Sequence, residues 1–223
     1  MELPPVADHS CPVAAEIRPG QGAAAAAALI PPAAPSVATP LSKGDDYRDR
    51  LHPTPAGWPI RGHWCVWLEP VEELGPTGIW EQRWHHAVQQ ALASWRELIP
   101  ITLVDQPDQA HVVVERRRPP LRNNRASHGR AELQLLEVQR GQGWELEPQV
   151  RVMISPGQAA PAMQATALHE LGHAFGLWGH SSESGDALAV KPGAQPVLSL
   201  SERDRRTILW LQQQPAVGAW SAP

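Results

Sequence analysis

The pattern of apolar and polar positions changes character near residue 58: the first 57 residues contain no tryptophan, and the remainder contains all ten. His63-Trp64-Cys65-Val66-Trp67-Leu68 is a compact, β-prone apolar run ended by Glu69-Pro70, which predicts a strand. Trp80, Trp84, Val88, Ala91, Leu92, Trp95 and Leu98 then recur at three- and four-residue steps, one apolar face of a long helix that stops before Pro100. Ile101–Val104 and Val112–Glu115 predict two short strands around a turn at 105–109, and Ala131–Val138 and Val150–Ile154 predict two more. Pro161 opens a second helix that runs to about Phe175. Ser201, with Asp204 placed to complete a cap, opens a third, whose apolar content is Ile208, Leu209, Trp210 and Leu211. The sum is an α+β fold, one mixed five-stranded sheet with helices packed on it.

Composition sets the boundaries. Eleven of the 24 prolines lie before residue 60, mixed with an alanine tract. Such a segment has little large apolar surface to offset chain entropy, so 1–57 is expected to be disordered. The folded domain is expected at 58–213, followed by a flexible tail at 214–223. The net charge of -4 favours neither nucleic acid nor an anionic membrane as partner. No apolar run reaches the ~20 residues of a membrane span. Ala23–Ile30 and the small residues Ser36-Val37-Ala38 resemble part of a secretion signal, but Glu2, Asp8 and Glu16 outweigh Arg18 where such a signal needs positive charge. Export is left open. Two cysteines are too few for a disulfide framework. Cys11 is expected to be an incidental tail thiol, and Cys65 a small buried hydrophobe.

The chemistry sits in the second helix, at His169-Glu170-Leu171-Gly172-His173. Residues four apart share a helix face, so both imidazoles can face one ion. Zinc suits imidazole, and a catalytic site keeps a position open for water. Glu170, beside the first ligand, can take the proton of a metal-activated water and return it to a leaving amine. By chance alone HExxH arises in on the order of one in a hundred chains this long. Context strengthens it: Gly176 supplies a left-handed helix stop, and His180 follows on the exit segment as third ligand.

The stretch from His169 through Gly176 to His180-Ser181 resembles the zinc-binding consensus HExxHxxGxxH of the metzincin metallopeptidases, and within them the matrixin-like group. That resemblance implies a zincin-type fold with one catalytic Zn2+ held by His169, His173 and His180, Glu170 as base, and a short carboxyl-terminal subdomain with a final helix. It also implies endopeptidase action on an extended peptide bound antiparallel to an edge strand, which chain order assigns to Ala131–Val138. There are two departures. His180 stands four residues after Gly176 rather than three, as though Trp178 were inserted; lying beyond the helix, this residue can bulge without moving His169 and His173. The position of the family's turn methionine falls on Leu188, of similar volume. The sole tyrosine, Tyr47, lies in the presumed tail, so catalysis would rest on zinc and Glu170 alone.

Other features carry less. His85 and His86, adjacent on a helix, diverge by ~100° and make poor co-ligands. The arginine-rich 116–130 segment is expected to be a solvated loop, and no second metal is expected. The sequence thus predicts a monomeric zinc endopeptidase acting on peptide or protein substrates. A catalytically silent peptide-binding module and a zinc hydrolase of non-peptide amides fit the same residues.

Overall fold

The computed structural model describes residues 11, 13–20, 45–72, 78–122, 124, 126–140 and 143–217. It contains six strands, β1 (Ile17–Pro19), β2 (Trp64–Leu68), β3 (Ile101–Val104), β4 (Val112–Glu115), β5 (Gly129–Arg140) and β6 (Gly143–Ile154), and three helices, α1 (Gly78–Arg96), α2 (Ala160–Ala174) and α3 (Glu202–Leu211). The strands form one mixed sheet in the order β1-β5-β6-β4-β2-β3. β3, β2, β4 and β6 are parallel, β5 runs antiparallel to β6, and β1 antiparallel to β5.

The α/β composition and the five predicted strands are present, but the sheet has a sixth. β1 comes from the segment that composition placed outside the domain. All three of its residues are exposed, so no apolar periodicity could announce it. It is held by main-chain pairing to β5 and by a disulfide, Cys11–Cys65, which closes a separation of 54 residues. Neither cysteine is therefore the isolated thiol expected from the sequence. Residues 45–57 also belong to the fold: Tyr47 and Leu51 are buried in the core. At the other end, Val217 is buried and its amide donates to the Trp58 carbonyl, so the folded unit passes the boundary set at Gln213. Ala23–Ile30 and Ser36–Ala38 lie outside the described residues.

β3 and β4 do not form a hairpin around 105–109. Each pairs in parallel with β2, whose residues are the most completely buried of the three strands and so take the central place. β6 starts at Gly143, well before the predicted Val150, and runs through Pro148. Pro148 lies opposite Leu135 on one side, and β6 meets β4 only from Val150 onward, so the missing amide falls where the ladder makes little demand on it.

The apolar stripe of α1 buries Trp84, Val88, Ala91, Leu92 and Trp95, while Trp80 faces out, 61% exposed. The two buried indoles of α1 satisfy their N–H groups on backbone: Trp84 donates to the Ile154 carbonyl and Trp95 to the Leu168 carbonyl, 3.1 Å away. Trp95 thereby ties α1 to α2 one residue before His169. α3 opens with the predicted capping box between Ser201 and Asp204 and buries Ile208 and Leu211, leaving Leu209 exposed. No helix among the described residues is long and apolar enough to cross a membrane.

Candidate metal centre and catalytic carboxylate

α2 presents His169 and His173 one turn apart. The helix stops at Gly176, whose φ of 108° is left-handed and whose missing side chain matters twice, since a Cβ there would meet Ile60 at 2.6 Å. Two successive three-residue turns follow: the Trp178 amide donates to the Gly176 carbonyl, and the Gly179 amide to the Leu177 carbonyl. These tight turns absorb the extra residue of the Gly176–His180 spacing outside the helix. Trp178 lays its ring on His173, with centroids 5.5 Å apart and planes at 20°.

The result brings His180 to the helix pair. His173 Nε2 lies 3.2 Å from His169 Nε2 and 3.2 Å from His180 Nε2. Nitrogens bound tetrahedrally to one ion at ~2.0–2.1 Å stand about 3.3 Å apart. The spacing fits a shared cation. The tautomers fit as well: His169 Nδ1 donates to the Ala187 carbonyl (2.9 Å) and His173 Nδ1 to the Leu177 carbonyl (2.7 Å), leaving Nε2 of each ring as a lone pair. Burial lowers the affinity of all three rings for a proton. His169 is pushed down to about 4 by burial with a smaller push from His180, His173 falls well below its usual range by burial and both neighbours, and His180 is lowered by burial.

Glu170 points from α2 toward the start of β5. Burial raises its carboxyl to about 7, and the Ala131 backbone amide and Arg130 offset part of that rise. A side chain at Gly129 would come within 2.6 Å of Glu170 Cγ and 2.7 Å of Oε1, so a glycine there leaves room for the carboxylate. Leu188 is fully buried beneath the helix; a Cβ at Gly172 would strike its Cδ2 at 2.6 Å. Gly172, between the two helical histidines, thus lets Leu188 pack directly on the backbone of α2.

Several supporting residues escaped the sequence reading. Asp186 accepts from the hydroxyls of Ser181 and Ser201 and from Arg203 Nε. Asp204 accepts from the Tyr47 hydroxyl (2.7 Å), the Ala187 amide (2.8 Å) and the Ser201 amide (2.9 Å). The backbone of Ala187 therefore links Asp204 on α3, through its N–H, to His169 on α2, through its carbonyl. Asp204 is legible in the sequence as a cap; its part in aiming a histidine is not, because the contact spans 17 residues. Cys11, His63 and Cys65 also lie close together, but there the sulfurs are bonded to each other.

No family model matches the sequence, and no curated protein matches it. The metzincin resemblance rests on the motif itself.

Proposed function

We propose that the protein is a zinc-dependent endopeptidase of metzincin-like, matrixin-like type. The observation that carries this reading is the convergence of the Nε2 atoms of His169, His173 and His180 beside the half-buried Glu170 carboxylate, next to a sheet strand. His169, His173 and His180 would hold the ion; zinc is the cation that three imidazoles with an open position suit best. When bound, zinc supplies Lewis acidity toward a carbonyl and a water of lowered pKa.

Glu170 would be the base toward a water held at the open position and the acid toward the departing amine. Its burial makes it a stronger base than a solvated carboxylate, while the Ala131 amide fixes its direction. The start of β5 lies against α2 at Glu170, so a peptide extending along that edge would bring its backbone to the base.

The test uses the full chain, Glu170→Gln and His173→Ala, each analysed for bound metal and for cleavage of a diverse peptide library. About one zinc per chain is expected in the parent and in Glu170→Gln, with cleavage only in the parent. Cleavage that survives Glu170→Gln, or absence of zinc from the parent, would sink the proposal. Zinc with no cleavage of any peptide would favour the binding module, and hydrolysis confined to non-peptide amides the third reading.

A further inference from the structure

The edge of β5 is not uniform. Its carboxyl-terminal half carries β1, with Pro19, Arg18 and Ile17 opposite Leu136, Glu137 and Val138. The pairing continues on either side: the Gly20 amide donates to the Leu135 carbonyl (3.0 Å), and the Gln139 amide to the Glu16 carbonyl (2.9 Å). Arg18 bonds Glu137 Oε2 at 2.6 Å and lies over the Trp144 ring. The amino-terminal half, from Gly129 to Gln134, pairs with no strand on that side among the described residues, and it adjoins Glu170.

Three exposed residues make a weak strand. Ile17 is 46% exposed and Val13 56% exposed, so little apolar burial holds the segment down, and isolated pairings this short are marginal in water. What anchors it is covalent: Cys11 is bonded to Cys65 in the buried strand β2, and residues 13–16 cross from there to β5.

We infer that β1, strapped in place by the Cys11–Cys65 disulfide, closes the far end of the substrate edge and sets how many residues of an extended peptide the cleft accepts. This rests on the proteolytic reading of the metal site. A peptide with the polarity of β1 keeps its amino-terminal side toward Leu135 and its carboxyl-terminal side beyond Gly129. Outward-facing main-chain groups alternate along an antiparallel strand, so Leu133 and Ala131 continue the row begun at Gln139, Glu137 and Leu135. The Ala131 amide is turned to Glu170. Leu135 to Ala131 spans about 14 Å at ~3.4 Å per residue, room for about four extended residues before Gly20. Gly20 lies close on β5, with a Cβ there only 2.9 Å from the Leu135 carbonyl oxygen. The cleft would therefore favour substrates with a short stretch on the amino-terminal side of the cut.

The experiment compares the full chain with Cys11→Ser, and with Arg18→Glu, which keeps the disulfide but sets two carboxylates face to face. The first readout, amide hydrogen exchange, needs no catalysis. Exchange at Gln139 is expected to rise at least tenfold in both variants, while Val150 in the sheet interior stays protected. The second is kcat/KM on peptides sharing one scissile sequence, with one to eight residues before it. The parent's value is expected to stop rising at about four residues, and that of Cys11→Ser to gain a further fivefold or more by eight. Unchanged exchange at Gln139 in both variants, or a parent whose rate climbs through all eight lengths, would overturn the strap. If no peptide is cleaved, the protease reading fails, and the exchange result alone decides whether the disulfide holds β1 on the edge.

Discussion

Removing the Asp204 carboxylate should weaken the metal site from the far side of α3. Asp204 is fully buried and accepts three hydrogen bonds, from the Tyr47 hydroxyl and the Ala187 and Ser201 amides. Asp204→Ala leaves all three donors without that acceptor. Each orphaned buried donor costs about 1–3 kcal/mol, and a total of about 4 kcal/mol follows if water reaches the Ser201 amide at the helix end. For a domain of this size that lowers Tm by about 8–16 °C. Asp204→Asn keeps one oxygen for the two amides and turns its NH2 to the Tyr47 hydroxyl, which rotates to accept, so its cost is about 1–2 kcal/mol. The metal readout separates the roles. The Ala187 carbonyl orients His169, and losing such an outer partner typically costs about 10–100-fold in metal affinity. Asp204→Ala keeps that carbonyl but frees the backbone that aims it, so competition against a chromophoric chelator, at a temperature where every variant remains folded, should show zinc binding about tenfold weaker, the low end of that range. Tyr47→Phe, which removes one donor and leaves the Ala187 amide paired, should lose about 1 kcal/mol of stability with little change in zinc affinity. Parent-like zinc affinity in Asp204→Ala would refute the link through Ala187.

Two further outcomes follow from the same geometry. Gly129→Ala places a methyl 2.6 Å from Glu170 Cγ and 2.5 Å from Thr166 Cγ2; kcat on a cleaved peptide should fall by at least tenfold while zinc content stays near one per chain. His111 is buried, takes the Cys65 amide on Nδ1, and has its pKa pushed down to about 3, by burial first and then by the Arg61 charge. Its folded value lies below its unfolded value of about 6.5, so the folded state binds fewer protons and stability falls as pH drops from there toward 3. This group contributes a slope of up to about 1.4 kcal/mol per pH unit. Urea unfolding of metal-free parent and His111→Gln between pH 7 and 4 should show that much less slope in the variant; equal slopes would refute it.

Much of the centre of this molecule is local and therefore readable along the chain. The i, i+4 spacing puts His169 and His173 on one face, Gly176 stops the helix, and the three- and four-residue steps of Trp84, Val88, Leu92 and Trp95 build the wall against which α2 packs. The Ser201–Asp204 cap likewise needs only one turn of helix. The readings that fell short depend on partners far away in sequence. β1 has no apolar pattern because β5 and a distant cysteine hold it, and composition treats such a segment as tail. Tyr47 lies among residues poor in large apolar groups, yet it is buried in the core against α3, where Thr207 accepts from its amide and Asp204, 157 residues away, from its hydroxyl. Gly129 looks like any strand-opening glycine until α2 brings Glu170 against it. Helix periodicity is an intrinsic property of a segment, written in its own residues. Strand pairing, disulfide closure and the aiming of a histidine through a backbone link are properties of pairs, and only the folded chain decides which pairs meet.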